Sequence, residues 1–179
     1  MPRPVKIVDY DPRWPIIYEE ERSSILEVAG SMILAIEHIG STVVPGLSAK
    51  PIIDIMAGVE GSEDADECVR LLQAIGYDDV TSQPEAPDWY YCLGKGFHSV
   101  GYHLHLVRHG SEHWEKHIVF RDHLRTNPET ARDYERLKRH LASEHGSNRL
   151  TYTEAKTSFI ESIVSRVKRE HDQVLACSS

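Results

Sequence analysis

The stretch "HIGSTVVPGLSAKPIIDIM", from His38 to Met56, decides the fold of this chain. It joins two apolar, β-prone runs, "ILAIEHIG" and "PIIDIMAGV", through a loop that contains a proline and a glycine. Runs of this kind, separated by turn residues, predict two successive strands. The first strand ends at Gly40 and Ser41, and the second carries one acid, Asp54, among apolar neighbours. The segment therefore predicts two strands and also contains the residues of a candidate functional site.

Helices and further strands are predicted on both sides of this segment. On its N-terminal side, apolar residues recur at helical spacing from Trp14 to about Gly30, with Asp11 as the predicted cap. On its C-terminal side, Ser62 is the predicted cap of a helix that ends at Gly76. Two more strands are predicted in "DWYYCLG" and "YHLHLV".

The chain after His109 has a helical pattern throughout. Three helices are predicted, and they open at Ser111, at Asn127-Pro128, and at Thr151 or Thr153. The order is therefore helix, two strands, helix, two strands and three helices. This order predicts an α/β or α+β fold with a mixed β-sheet and a helical C-terminal half.

The length of the chain favours a single domain spanning residues 1–179. A chain of 179 residues is long enough to bury a core without disulfides or a structural metal. Its 40% hydrophobic and 27% charged residues are ordinary for a globular protein. Within this domain we predict an α/β core over 1–110, C-terminal helices over 111–170 and a flexible tail over 171–179.

Charge and cysteine content restrict the partners and the compartment. A net charge of −8 argues against general DNA or RNA binding, although a small anion can still bind in a local basic pocket. No apolar stretch approaches the ~20 residues that cross a bilayer, so no membrane partner is expected. The three cysteines lack metal-ligand spacing, which predicts a cytoplasmic protein. The oligomeric state is left open.

The Gly-Ser-Thr sequence at the end of the first strand is a candidate phosphate site. Gly40 lets the backbone approach a ligand closely, and the hydroxyl of Ser41, with Thr42 beside it, can bind a phosphate oxygen. The alternative is an ordinary strand-to-loop turn that happens to use these residues. The motif alone does not decide between the two.

Asp54 is the strongest single indication of function. In "IIDIM" the flanking isoleucines point to one face of the strand, while Asp54 and Met56 point to the other. A carboxylate among apolar neighbours is costly to bury unless it is paired, hydrogen-bonded or bound to a metal. Asp54 is therefore predicted to face a ligand or metal, with a structural acid bonded to backbone amides or to Lys50 as the alternative.

Two histidines on the "YHLHLV" strand support this prediction. His103 and His105 alternate with leucines, so both imidazoles share one strand face while the leucines face the core. Histidines at this spacing can bind one divalent metal ion together with Asp54. The alternative is a pair of polar residues that face solvent on a half-buried sheet.

Other polar residues give weaker signals. Candidate phosphate ligands are Lys50, Arg121 and Lys156, each of which has an ordinary surface charge as its alternative. His38 adjoins the Gly-Ser turn and is predicted either to face the same pocket or simply to pack. The histidines at 109, 113 and 117 have helical spacing without a metal-protease motif, so a solvated helix face is predicted for them.

Several motifs in order resemble the GrpB family of small bacterial proteins. They are "YDPRWP", "HIGSTVVPGLSAKPIIDI", "YHLHLV", "FRDHLR" and "YTEAK", and the resemblance as a whole covers about residues 5–169. That family resembles the nucleotidyltransferase superfamily, which implies a strand ending in Gly-Ser, an acid pair on the next strand and a third acid later. In the superfamily these acids hold two Mg²⁺ ions that bind a triphosphate.

This sequence departs from the acid pattern that the resemblance implies. Gly40 and Ser41 match the turn, and Asp54 matches one acid of the pair. The partner acid is replaced by Met56 or by Ile52, depending on which acid Asp54 represents. The third position is taken by His103 or His105. Because Mg²⁺ prefers oxygen ligands, the resemblance implies altered metal chemistry at this site.

The expected function follows from these residues and from the resemblance. We expect the protein to bind a nucleotide or a phosphorylated small molecule, with one divalent metal ion (Mg, Mn or Zn) held by Asp54, His103 and His105. Transfer of a nucleotidyl or related group is the expected chemistry, with Asp54 as the catalytic residue. The alternative is a degenerate binding module or accessory protein without turnover.

Overall fold

The computed structural model describes residues 6–83, 89–96, 100–145 and 149–177, and these residues form one five-stranded sheet with helices on both faces. The strands are β1 (Ile33–Ile39), β2 (Ile52–Val59), β3 (Asp78–Gln83), β4 (Tyr90–Lys95) and β5 (Gly101–Arg108). The helices are α1 (Trp14–Ala29), α2 (Ser62–Leu72), α3 (Glu112–Thr126), α4 (Pro128–His145) and α5 (Arg149–Cys177), with a 3-10 turn (Gln73–Ile75) after α2.

The sheet is mixed, with the strand order β1-β2-β5-β4-β3. Strands β2 and β5 are parallel, and the other neighbouring pairs are antiparallel. The predicted fold class is therefore confirmed, and so are the four predicted strands. Strand β3 was missed because "DDVTSQ" contains one apolar residue and no apolar alternation. An edge strand paired on one side can form without that pattern.

Alternation along β2 and β5 separates an apolar face from a polar face. Ile53 and Ile55 on β2, with Leu104 and Leu106 on β5, are fully buried on one side. Asp54 lies opposite His103 in the parallel register, on the other side of the sheet. Because side chains alternate with a period of two, the apolar and polar sets are fixed on opposite faces.

The two faces are covered by different helices. Helices α1 and α2 pack on the apolar face through residues such as Trp14, Ile25 and Leu72. On the other face, Trp114 of α3 packs against Ile39 and a β2 side chain. A second apolar cluster joins the β1–β2 loop to α3, α4 and α5. This arrangement leaves the polar residues of β2 and β5 between the sheet and the C-terminal helices.

The N-terminal cap predicted from the sequence is confirmed for α3 and wrong for α1 and α2. Ser111 caps α3, since its hydroxyl accepts a hydrogen bond from the backbone of Trp114 (3.2 Å) as predicted. The N-cap of α1 is Arg13 rather than Asp11, whose carboxylate instead accepts from the Arg13 backbone (2.9 Å). The N-cap of α2 is the residue before Ser62.

Helix α5 starts before the predicted Thr151 or Thr153 and ends at Cys177. The structure includes residues 171–177 in this helix, and residues 178–179 of the predicted flexible tail lie outside the described residues. In the part of the chain that the structure describes, no helix combines the length and the apolar character needed to cross a bilayer.

Candidate functional site

A cavity of about 530 Å³ lies between the polar face of the sheet and the C-terminal helices. The β1–β2 loop, strands β2, β4 and β5, and helices α3, α4 and α5 all contribute to its lining. Eight of the predicted site residues line it: Gly40, Ser41, Thr42, Lys50, Asp54, His103, His105 and Lys156. Residues far apart in the sequence therefore meet at one cavity.

Asp54 and the two histidines of β5 form the polar centre of this cavity. His103 Nδ1 donates to Asp54 Oδ1 (3.2 Å), and His105 Nε2 lies 3.8 Å from the same oxygen. On its other side, His105 Nδ1 is hydrogen-bonded to the hydroxyl of Tyr90 (2.7 Å). The structure therefore brings Asp54, His103 and His105 together, as the sequence predicted.

Burial and the imidazoles act in opposite directions on the Asp54 carboxyl. Burial raises its pKa, but its interactions with His103 and His105 together outweigh burial and hold the pKa well below its usual range. Asp54 is therefore ionised at neutral pH. An ionised carboxylate at this position can accept a hydrogen bond from a ligand hydroxyl or bind a cation.

Gly40 is required by the close approach of the β1–β2 loop to Asp54. Gly40 has a φ of +75°, which disfavours residues with a side chain. A methyl group at this position would lie 2.5 Å from Asp54 Oδ2 and 3.0 Å from Asp54 Cβ. Gly40 at the start of the loop and Asp54 after its end therefore lie against each other in the same site.

His38, which was predicted either to face the pocket or simply to pack, does not line the cavity, and neither does the candidate phosphate ligand Arg121. His38 pairs with Ile55 in the antiparallel register and therefore points to the face covered by α1, where it stacks on Tyr18 (4.5 Å between ring centroids). Its Nε2 is hydrogen-bonded to the hydroxyl of Thr42 (2.9 Å). Burial lowers the pKa of His38 to about 4, so it is neutral at pH 7.

Arg121 supports the same strand end from α3. Its guanidinium donates to Glu37 Oε2 (2.6 Å) and to the backbone carbonyl of His38 (3.2 Å), and it also pairs with Asp122 (2.8 Å). These contacts hold the end of β1, where the Gly-Ser turn begins. The structure therefore places His38 and Arg121 in contacts at the end of β1 and outside the cavity lining.

Two histidines of α3 line the cavity, contrary to the predicted solvated helix face. His113 and His117 lie with their ring centroids 4.5 Å apart, and His117 is 6.2 Å from the ring of His105. His117 Nδ1 donates to the carbonyl of His113 (2.9 Å), and burial lowers the pKa of His117 to about 4. His117 is therefore neutral, with its Nε2 as an acceptor. The sequence signal for this arrangement was the spacing of four residues between His113 and His117, which puts both side chains on one face of the helix.

The cavity is also lined by four lysines: Lys50, Lys116, Lys138 and Lys156. Lys138 was missed by sequence reasoning, although it is only 2% exposed. Burial lowers its pKa to about 7 and also lowers the pKa of Lys156. Lys138 stands at helical spacing between Tyr134 and Leu141 in "YERLKRHL", which puts it on their buried face and was the available sequence signal.

The residues present do not form a cage for two magnesium ions. Met56, at one possible position of the missing acid, is fully buried against Ile39, Val107 and Trp114. Within the described ranges, no group of three or more histidine, cysteine, aspartate or glutamate side chains is arranged to hold a metal ion. The described site thus has one carboxylate hydrogen-bonded to imidazole in place of an acidic cluster.

Comparisons with known proteins match this chain over most of its length. A family model described as GrpB protein matches residues 4–166. A UPF0157 protein of Halalkalibacterium halodurans is 37% identical over 163 residues, which cover 90% of this chain and 82% of the relative. The crystal structure of the conserved protein GrpB from Enterococcus faecalis has a TM-score of 0.80 and 32% identity, and covers 93% of this chain and 99% of that one.

A more distant likeness concerns the fold alone. The Cid1 poly(U) polymerase, in a structure with Mg and 3′-dATP bound, has a TM-score of 0.56 and 12% identity. The match covers 83% of this chain and 49% of the polymerase. The sheet and its helices therefore have a nucleotidyltransferase-like fold, and this likeness carries no residue roles.

Proposed function

The chain belongs to the GrpB family, and on that premise we propose that its cavity binds a nucleotide or a phosphorylated small molecule of similar size. One observation carries the proposal. The cavity of about 530 Å³ has the volume of a small-molecule site, and its lining combines a glycine-serine turn, lysines and a single ionised carboxylate.

The charge of the cavity supports a phosphorylated ligand. Among the described residues that line it, Asp54 is the single acid, against the four lysines named above, of which Lys116 pairs with Glu161 outside the lining (3.2 Å). The whole chain carries a net charge of −8, so this lining is a local exception to the charge of the protein. Lysines grouped with a glycine-serine turn suit phosphate oxygens, which bind to ammonium groups, hydroxyls and backbone amides.

Asp54 is the proposed catalytic residue. Its ionised carboxylate faces the cavity, so it can accept a hydrogen bond from a ligand hydroxyl and orient it. Asp54, His103 and His105 are the residues that would hold one divalent ion. They are hydrogen-bonded to one another and not yet arranged around a metal position, so binding would replace the hydrogen bond from His103 to Asp54 (3.2 Å) by coordination. Imidazole favours Zn or Mn over Mg, and a bound ion would neutralise charge on a phosphate group.

Beyond ligand binding, we propose a reaction, the transfer of a nucleotidyl or related group. The fold of the chain supports it, whereas the buried Met56 argues against the two-magnesium mechanism. A second candidate function is therefore a binding module without turnover, and the missing second acid is the observation that favours it. The two candidates differ in their dependence on a metal, because a module that has lost its metal site should bind ligand equally well with a chelator present.

Calorimetry tests these proposals together. Each of the four common nucleoside triphosphates is titrated into the purified chain with Mg²⁺, Mn²⁺, Zn²⁺ or EDTA, and pyrophosphate release is measured in parallel. Binding that needs the metal and is accompanied by turnover supports the enzyme, while binding that survives EDTA without turnover supports the module. Absence of binding under every condition contradicts a nucleoside triphosphate as the ligand in both candidates.

A matched pair of variants links the binding to the site. Asp54→Asn removes the carboxylate of the cavity, while Asp66→Asn removes a carboxylate that accepts a hydrogen bond from Tyr91 (2.6 Å), a contact remote from the cavity lining. Both changes remove one charge and keep the shape of the side chain. Only the first should weaken binding, and equal effects would argue against Asp54 as a ligand-facing residue.

A cytoplasmic location is also proposed. The support is the cysteine content: the chain has three cysteines, and Cys68 and Cys92, the two whose side chains the structure describes, are free thiols. Fractionation of cells that express the tagged full chain would test the location, and recovery outside the cytoplasmic fraction would contradict it.

A further inference from the structure

Lys138 is a buried amine that lines the cavity without a carboxylate partner. It reaches the cavity from α4 and is only 2% exposed. Among the residues that the structure describes, it makes one hydrogen bond, to the backbone carbonyl of Ser48 (2.5 Å), and no ion pair. The acid one turn earlier on the same helix, Glu135, pairs instead with Arg139 (3.0 Å). Because an ammonium group is costly to bury without a counter-charge, this position favours the neutral amine.

The charges around Lys138 do not offset the effect of burial. Burial is the largest influence and lowers the pKa of Lys138 to about 7. The charged groups that act on it are Glu135 and Arg139 of α4, Lys156 of α5 and Asp54 of β2. The two acids favour the protonated form of Lys138, and the two cations oppose it. Above pH 7 most of this side chain is therefore a neutral amine, and a desolvated neutral lysine is a nucleophile.

The contacts of Lys138 suit a reactive amine better than a simple anchor for the β1–β2 loop. The hydroxyl of Ser48 accepts a hydrogen bond from Arg139 (2.8 Å), so α4 already holds this loop through a partly exposed side chain. The carbonyl of Ser48 accepts one N–H of Lys138, and the lone pair of the amine must then point away from that carbonyl. The Tyr134 ring, 5.0 Å from Nζ, and the neighbouring Phe120 give the cavity an apolar wall beside the amine.

We infer that Lys138 is a nucleophilic amine that forms an imine with the aldehyde or ketone group of a phosphorylated ligand in the cavity. This inference rests on the proposed function and narrows its ligand to a phosphorylated carbonyl compound. The phosphate group would be bound as proposed above, by the glycine-serine turn and other lysines of the lining. A nucleotide with an intact sugar has neither an aldehyde nor a ketone, so the inference favours a ligand other than a nucleotide.

Imine formation at Lys138 needs no oxidant, reductant or other co-reactant. The lone pair of Nζ attacks the carbonyl carbon, a C–N bond forms, and the electron pair of the C=O π bond moves to oxygen. The carbonyl oxygen then leaves as water with both N–H protons, and a C=N bond remains. Protonation of the imine by solvent restores one N–H, which the carbonyl of Ser48 can accept.

The probe is pyridoxal phosphate, an aldehyde that carries a phosphate group. The folded full chain is incubated with it at pH 8, borohydride reduces any imine to a stable secondary amine, and peptide mapping locates the label. The internal control is Lys168 of α5, which lies outside the cavity lining and pairs with Glu115 (3.5 Å). Because only a neutral amine reacts, Lys138 should be labelled about tenfold faster than Lys168. Equal rates at the two lysines, or no label at Lys138, would overturn the inference.

Matched variants and a pH profile separate this role from that of a loop anchor. Lys138→Met should lose the visible absorbance of the imine and Lys168→Met should keep it, whereas wild-type absorbance in Lys138→Met would contradict the inference. The pH profile uses wild type, so it decides even where Lys138→Met does not fold. Because the pKa of Lys138 is lowered to about 7, its labelling rate should rise from pH 6 to pH 8 and then level off. A rate that continues to rise up to pH 10 would overturn the inference.

The inference and the proposed function fail in distinguishable ways when pyridoxal, which lacks the phosphate, is tested in parallel. Labelling of Lys138 that is about tenfold faster with pyridoxal phosphate than with pyridoxal supports both. Equal rates with the two aldehydes contradict phosphate binding in the cavity, while Lys138 remains a nucleophile. Binding of pyridoxal phosphate in calorimetry without label at Lys138 overturns the inference alone.

Discussion

Replacement of Gly40 by alanine tests the contact that joins the β1–β2 loop to the site. Gly40 has a φ of +75°, and a methyl group there would lie 2.5 Å from Asp54 Oδ2. The carboxylate cannot move away freely, because its other oxygen accepts a hydrogen bond from His103 (3.2 Å). The alanine must therefore displace either the loop or the carboxylate.

The structure provides the size of the effect and an internal control. Gly46 has nearly the same backbone conformation, with a φ of +77°, but nothing lies within 4 Å of a methyl group there. An alanine in this conformation costs about 1–2 kcal/mol, which is the whole expected effect of Gly46→Ala. Gly40→Ala adds the loss of a hydrogen bond to a charged group, about 1–2 kcal/mol after allowance for the 30% exposure of Asp54.

Urea denaturation and nucleotide calorimetry on both variants measure these effects. Gly40→Ala should lose about 2–4 kcal/mol of unfolding free energy and at least tenfold in ligand affinity, whereas Gly46→Ala should lose about 1–2 kcal/mol and keep its affinity. Equal losses in the two variants, with ligand affinity unchanged in both, would refute the claim that Gly40 is required by the carboxylate of Asp54.

Three further predictions concern the polar residues of the site. Asp54→Asn should abolish divalent-ion binding in calorimetry and lower the unfolding free energy by about 1–2 kcal/mol, because the attraction of the imidazoles, which outweighs the burial of the charge, is lost; an unfolded variant would instead make Asp54 structural. His103→Ala and His105→Ala should each weaken Mn²⁺ or Zn²⁺ binding, and wild-type affinity in both would remove them as ligands. The pKa of His38 is about 4 in the folded state and 6.5 in the unfolded state, so the unfolded state binds more protons between these two pH values. The free energy of unfolding should therefore fall by about 3 kcal/mol as the pH is lowered from 6.5 to 4. His38→Gln should lose that part of the pH dependence in urea titrations, and a wild-type slope would contradict this assignment.

The alternation of side chains made the centre of the site predictable. In "IIDIM" and "YHLHLV" the apolar residues must share the core face, so the face of Asp54 and that of His103 and His105 follow from the sequence. The same rule would have placed His38 correctly had the pairing of β1 with β2 been known. Its partner in the register is Ile55, so His38 faces the core and α1.

The sequence by itself determined the helices and four of the five strands, with β3 as the exception. It also determined the apolar and polar sides of β2 and β5, because these depend on neighbours within a few residues. Only the tertiary structure decided that β2 and β5 are adjacent and parallel, with Asp54 beside His103. It also decided that α3 and α4 bring His117 and Lys138 to the cavity. The physical reason is that strand order and helix packing depend on contacts between distant segments, and the periodicity of a single segment carries no information about which segment it will meet.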